Sequence, residues 1–529
     1  MDKIILLDFG SQTTQLIGRR IRELGVYTEI LSGETDLGPL LEETSRNGGT
    51  AGTLRGIILS GSPESVYAPD APAPDKRIYS CGLPLLGICY GLQRMNFDNG
   101  GKVAPLPKRE YGGIKVTVRG STFTAWMSHG DTLTELAPGF IETGRSETGY
   151  PAVVVHGEKP WYGLQFHPEV THCERGTEIL SSFVFGICRC RKSWSMKAYV
   201  ETVRSELAAR VGASPVLLLI SGGVDSTVAA ALLLKTLPPS QVHLMYMDTG
   251  LMRKDETAQV KRALEKLGAQ HVHIVMCETE FLSALKGLSE PELKRKVIGD
   301  LFITIQERET ARLNLPDSYF LAQGTLYTDL IESGKGVGKK AHVIKSHHNV
   351  GSPLVETKRK EGRIIEPLDK LYKDEVRALG RLLKVDEDVV RRHPFPGPGL
   401  AVRILGEVTK EKCDILREAD AIFIDELKKR PGPQLAGKAG SSSLYDDIWQ
   451  AFAVLLPVRS VGVAGDVRKY GWVLALRAIT SADGMTADVY PFPPKDLLEI
   501  STRITNTVKD VGRVTYDISS KPPATIEWE

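Results

Sequence analysis

Long apolar runs are missing from this sequence. No stretch of about 18 consecutive apolar residues occurs in it, which argues against a membrane-spanning helix. No secretory leader is expected either, because the apolar part of MDKIILLDFGSQ is far shorter than an h-region and is flanked by Asp2 and Asp8. Cysteine is sparse. The seven residues Cys81, Cys89, Cys173, Cys188, Cys190, Cys277 and Cys413 form an odd set without regular spacing, as expected of reduced thiols in a cytoplasmic protein. Cys188 and Cys190 make a C-x-C pair with no second Cys/His pair nearby, so a structural role is expected rather than zinc. A charge excess is also lacking: 67 basic side chains face 65 acidic ones, for a net +2. Nucleic-acid binders usually show a clear basic excess, so neither a nucleic acid nor a membrane is expected as partner, while local basic pockets for small phosphates remain open. There is no internal repeat and no low-complexity tract.

What is present is a globular composition, with 42% hydrophobic and 25% charged residues. Single cores stop growing near about 250–300 residues, so 529 residues imply several domains. KIILLDFG, GIILSG and LPLLGICY read as buried strands, with a helix-like QTTQLIGRRIRELG between the first two, which predicts a doubly wound, mostly parallel sheet. A second unit opens with the amphipathic MKAYVETVRSELAARVG. It continues through PVLLLISGGVDSTVAAALLLKTL as strand, glycine turn and helix, then HLMYMDTG and VHIVM as strands. Residues 332–360 read as one long polar loop. The four prolines of RRHPFPGPGLAVRILG mark a stiff, extended connector. Beyond it, SVGVAGDVRKYGWVLALRAI and GRVTYDIS read as strands, DDIWQAFAVLLPV and KDLLEISTRITNTVK as helices. The expected fold is therefore multidomain α/β: two doubly wound parallel-sheet domains, 1–193 and 194–396, followed by a smaller α+β domain, 397–529.

Cys89 stands between Gly87 and Gly91 in LPLLGICYGLQ. A strand that turns sharply into a helix exposes its central side chain, as in the G-x-S-x-G nucleophile elbow, and the helix N-terminus favours a thiolate. A free cysteine can equally be a small buried hydrophobe. In WYGLQFHPEV, Pro168 biases His167 towards an extended conformation, which places His167 and Glu169 on one face, as a base and the group orienting it. GICYGLQ and QFHPEV, with DFGSQ and ILSGSPESVY, resemble the class I glutamine amidotransferases. The resemblance implies that Cys89 attacks the glutamine side-chain amide, with His167 and Glu169 completing the triad and backbone N–H groups at Gly61 and Tyr90 holding the oxyanion. One departure stands out: the family's S-G-G-P is Ser60-Gly61-Ser62-Pro63 here.

SGGVDS at 221–226 sits between strand and helix, where backbone N–H groups form an anion nest. It lacks the lysine of a Walker A loop and resembles instead the PP-loop of the ATP pyrophosphatases. That resemblance assigns Ser221, Gly222, Gly223, Val224, Asp225, Ser226 and Thr227 to ATP, with Asp225 also holding Mg²⁺. MDTGLMRKDE, AQGTLYTDLIES, IKSHHNVG, EPLDKLYKDEVR, RHPFPGPGLAVRILGE and YDISSKPPATIEWE extend the resemblance along the whole chain, to the glutamine-hydrolysing GMP synthetase family. It implies adenylation of xanthosine 5′-monophosphate (XMP) and amination to GMP. It further implies XMP contacts at Arg253, Gln450, Lys521, Ile526 and Glu527, a lid carrying Asp329, Glu332, Lys345, His347 and His348, and a homodimer formed through the last domain. Pro522 and Pro523 stiffen the tail, whose last residues are expected to be ordered and buried. Two rivals stay open on these grounds, a glutamine-dependent NAD synthetase and a non-catalytic nucleotide-binding regulator.

Overall fold

The computed structural model describes all residues except 47–53, 333–352, 434–441, 465–466 and 482–485. It forms two compact units, one of Met1–Tyr199 with the described part of Tyr327–Ser346, the other of Val200–Leu326 with the described residues of His347–Glu529.

The first unit is built on a nine-stranded sheet. Five parallel strands run in the order Tyr27–Ser32, Lys3–Asp8, Leu54–Leu59, Leu85–Ile88 and Trp161–Leu164. Four antiparallel strands extend it: Pro151–His156, Phe140–Ser146, Lys102–Val118 and Ser121–Glu135. The continuous apolar run KIILLD follows from burial on both faces, since Ile4 and Leu6 enter one core cluster and Ile5 and Leu7 the other. Cys188 and Cys190 are buried free thiols.

The second unit contains a five-stranded parallel sheet in the order His271–Met276, Val242–Asp248, Val216–Ile220, Phe320–Ala322, Ile364–Ile365. It also contains a smaller sheet in which Gln450–Ala464 pairs antiparallel with Val467–Thr480, and Val511–Tyr516 lies parallel to the latter.

Three expectations are corrected. The apolar part of DDIWQAFAVLLPV is strand, not helix: helix is confined to Leu444–Asp447 and the strand starts at Gln450. An apolar run of that length fits either element, and pairing with Val467–Thr480 decides it. Residues Pro353–Lys360 of the expected polar loop form a helix, with Val355 buried. The proline-rich connector is not extended throughout: Gly399–Val402 forms a short 3₁₀ turn, and Leu400, Ala401 and Ile404 are wholly buried in a core cluster that also takes in Met247, Leu251 and Phe281 from the first half of this unit.

Candidate functional site

At the carboxyl end of the strand Leu85–Ile88 the chain turns at Cys89 with φ +54° and enters the helix Tyr90–Asp98. Positive φ is costly for a side-chain-bearing residue and marks strain held by its surroundings. The flanking glycines permit it. A Cβ on Gly87 would lie 2.6 Å from Leu92 N, and one on Gly91 would be driven into the Leu59 carbonyl oxygen.

His167 lies just past the end of the strand Trp161–Leu164, and Glu169 falls in a turn, so the extended segment inferred from Pro168 is not formed. The pairing is nevertheless made: His167 Nδ1 is 2.7 Å from Glu169 Oε1, with the Glu169 side chain fully buried. A carboxylate only accepts, so Nδ1 carries the proton and Nε2 is left for the thiol. Burial works against charge on the ring, but hydrogen bonding to Cys89 and to Glu169 outweighs it and pushes the His167 pKa up to about 10. Gly61 borders this ring, since a Cβ there would be 3.5 Å from His167 Cε1. Tyr90 opens the helix, whose first N–H groups lack partners within it. The extra hydroxyl of Ser62 accepts from Glu64 N at 3.2 Å and closes the turn after Gly61.

In the second unit, the residues 221–223 lead into the helix Val224–Thr236 with Gly222 at φ +79°. Ser226 Oγ holds the loop closed, 3.0 Å from Ser221 Oγ and accepting from Ser221 N at 3.2 Å. Thr227 Oγ1 donates to the Gly223 carbonyl at 2.9 Å. Asp225 is met by Lys373, whose Nζ is 2.7 Å from Oδ1. Gly324 packs against the loop, a Cβ there lying 3.4 Å from Ser226 N.

Three of the five XMP candidates, Arg253, Gln450 and Glu527, share a polar knot. Arg253 Nη2 and Gln450 Nε2 both donate to the Pro394 carbonyl, at 3.1 and 3.3 Å. Gln450 also donates to Glu527 Oε1 at 2.8 Å. The main chain of Ile526 accepts from Arg477 Nε at 2.8 Å, and its side chain packs on the cluster of Phe452, Val454 and Ala475. Lys521 is apart from the knot, its backbone bridged to Ala487. The Arg253 guanidinium lies 4.3 Å from the Phe395 ring centroid. The tail is tied down as expected but not buried, because residues 521–529 are half-buried or exposed along their length. Asp329 and Glu332 lie on the short helix Tyr327–Glu332, whereas Lys345, His347 and His348 lie outside the described residues.

Three family profiles match the chain: class-I glutamine amidotransferase over residues 5–187, asparagine synthase over 198–291 and the GMP synthase C-terminal domain over 438–528. Glutamine-hydrolysing GMP synthases of Aquifex aeolicus and Fusobacterium nucleatum are 48% and 46% identical to it, each over 99% of both chains. That of Saccharomyces cerevisiae is 46% identical over 100% of this chain and 98% of its own. The chain belongs to the glutamine-hydrolysing GMP synthase family. It is an enzyme of the ligase type that makes GMP from XMP in a glutamine-dependent, ATP-driven reaction.

Membership of the GMP synthase family removes both rivals, and it directs attention to charges the sequence reading passed over. Arg403 is wholly buried and grips Glu527 through two hydrogen bonds of 3.0 and 2.9 Å. Arg392 donates to the Gly222 carbonyl of the phosphate loop at 2.9 Å and to Glu256 at 3.0 Å. The signal for Arg403 was present in the sequence as a cation interrupting the apolar run LAVRIL. Lys373, within a charged helical stretch, gave none. A cavity of about 850 Å³ opens beside the knot, lined among others by Arg253, Arg392, His393 and Tyr445, and of the five XMP candidates only Arg253 reaches it.

The raised His167 pKa has a sign that can be checked. The ring ordinarily titrates near 6.5, so its stabilising interactions are fully present below that pH and are lost as pH rises through about 10. Following the ring protons by NMR, deprotonation is expected near the upper value in the parent and distinctly lower in Cys89→Ala, which removes one of the two raising partners. An unchanged midpoint would dissociate Cys89 from the ring.

Proposed function

We propose that the three chemical roles of this GMP synthase divide along the chain as a glutaminase, 1–193, an ATP-using domain, 194–396, and an acceptor-binding domain, 397–529. The profile matches support this division, although the last two regions share one hydrophobic core. Cys89 Sγ, its proton already held on the His167 ring, attacks the side-chain amide carbon of glutamine as a thiolate, and Glu169 orients the ring. The N–H groups of Gly61 and Tyr90 stabilise the oxyanion. Collapse of that intermediate expels ammonia, the departing nitrogen taking its proton from His167, and water then hydrolyses the thioester to glutamate. The observation that carries this reading is the strained Cys89 turn facing the buried His167–Glu169 pair.

Residues 221–227 hold the ATP phosphates through loop N–H groups and the hydroxyls of Ser221, Ser226 and Thr227. An oxygen of XMP attacks the α-phosphorus, pyrophosphate leaves, and ammonia then displaces AMP to give GMP. Arg253, Gln450, Lys521, Ile526 and Glu527 bind XMP, and the segment carrying Asp329, Glu332, Lys345, His347 and His348 covers the nucleotides. Mg²⁺ is assigned to Asp225. A hard cation that binds mainly phosphate oxygens needs only one or two protein carboxylates, and Asp225 offers one at the mouth of the phosphate loop, where Lys373 meets it. When bound, the ion neutralises phosphate charge. Among the described residues no cluster of three potential ligands supplies a cage of its own.

A homodimer is proposed through the last domain, where Val461 and Val463 expose apolar side chains along one strand and Tyr470, opposite Val461, does so on its neighbour. A cytoplasmic location is proposed from the seven unpaired thiols; among the described residues no helix is long and apolar enough to cross a membrane. Purified enzyme given XMP, ATP and glutamine is expected to form AMP, pyrophosphate, glutamate and GMP in equal amounts. Glutamate without GMP would refute the assignment of the second unit, and GMP from ammonia but not glutamine would refute that of the first.

A further inference from the structure

One buried carboxylate–imidazole pair in the first unit lies outside the triad. Glu110 and His129 stand directly opposite each other on the antiparallel strands Lys102–Val118 and Ser121–Glu135. A register irregularity between Pro105 and Glu110 ends at this pair, and such bulges re-aim side chains next to active sites. Both side chains are 2% exposed, and His129 Nε2 lies 2.8 Å from Glu110 Oε2. Glu110 Oε1 accepts from the Thr148 hydroxyl. Burial alone would raise the Glu110 pKa, but His129 and the hydroxyls of Thr148 and Ser146 prevail and hold it below the usual carboxylate range. An apolar pair of similar volume would join two strands without the cost of burying polar groups, so strand cohesion by itself does not account for these two residues.

The other side of the imidazole leads to the nucleophile. His129 Nδ1 donates to the Asp131 carbonyl at 2.8 Å, and Gln93 Nε2 donates to the same oxygen at 2.8 Å. The preceding residue presents its carbonyl to the thiol, with Cys89 Sγ 3.8 Å from Ser128 O. Two residues further back, the Trp126 carbonyl accepts the backbone N–H of His167 at 2.9 Å. The segment Trp126–Asp131 therefore forms one wall beside the thiol, and Glu110 meets that wall at His129.

We propose that Glu110 and His129 are positioning residues that fix the Ser128–Asp131 backbone beside Cys89 and thereby set the lie of glutamine against the thiol. The proposal rests on Cys89 being the nucleophile, but it assigns no chemistry to the pair, which touches neither sulfur nor base. It predicts an effect on glutamine binding that spares the chemical step.

The test is Glu110→Gln in the full-length enzyme. The KM for glutamine is expected to rise about tenfold or more while kcat stays within about twofold, because interactions that act equally on ground and transition state appear in KM. Inactivation by iodoacetamide should proceed at the parent rate. Thr148→Val, which removes the hydroxyl that donates to Glu110 and meets that of Ser146, is expected to raise KM about threefold and keeps the test open should the first variant not fold. A KM within about twofold of the parent in every variant that folds, or a fall in kcat at constant KM, would overturn the proposal. Retention of glutamine hydrolysis by Cys89→Ala would instead remove the nucleophile assignment beneath it.

Discussion

Replacing Cys89 by alanine is expected to lower glutamine-dependent GMP formation by at least about 10³-fold while leaving ammonia-fed formation near the parent rate. No other described thiol stands at the end of a strand with its backbone forced to positive φ. The substitution removes one sulfur from a buried position and leaves the backbone a residue with the same steric preferences, so the fold should persist. Because the thiol forms a covalent bond with the reacting carbon, its loss removes a step and not merely a contact. Glutamate release and GMP formation, each measured with glutamine and with ammonium, separate the outcomes. A mutant that still hydrolyses glutamine at the parent rate sinks the triad.

Deleting residues 521–529 is expected to unfold part of the second unit before it reports on XMP binding. Three wholly buried cations depend on this short tail. Lys294 pairs with Glu529, Arg403 with Glu527, and Arg477 donates to the carbonyls of Thr525 and Ile526 while also pairing with Asp517. Leaving a buried charge without its partner costs about 3–5 kcal/mol, and losses at neighbouring sites do not simply add. The truncated chain should therefore show a clearly lowered unfolding temperature in the transition that belongs to the second unit. The kinetic question is better put by Glu527→Gln, which keeps the shape and removes the charge facing Arg403 and Gln450. The KM for XMP should rise about tenfold or more with glutaminase turnover unaltered. A deletion that changes neither stability nor the XMP requirement would show that the tail is dispensable.

Local motifs were legible without coordinates. LPLLGICYGLQ dictates a strand, a strained turn and a helix through its glycines alone, and SGGVDS between an apolar strand and an alanine-rich helix dictates an anion nest. The His167–Glu169 contact was also legible, although a turn, not an extended strand, brings the two together. AFAVLLPV misled because burial on both sides erases the periodicity that separates helix from strand, so only its pairing with Val467–Thr480 settles it.

By itself, the sequence determined where the reactive thiol, its base and the phosphate loop would be, since each is specified by a handful of adjacent residues and their backbone preferences. The tertiary structure alone decided which charges meet. Asp225 finds Lys373, Arg403 finds Glu527 and Lys294 finds Glu529 across separations of 148, 124 and 235 residues. Nothing local selects such partners. They are chosen by the packing that buries them, because a charge withdrawn from water persists only where the fold supplies its counter-charge.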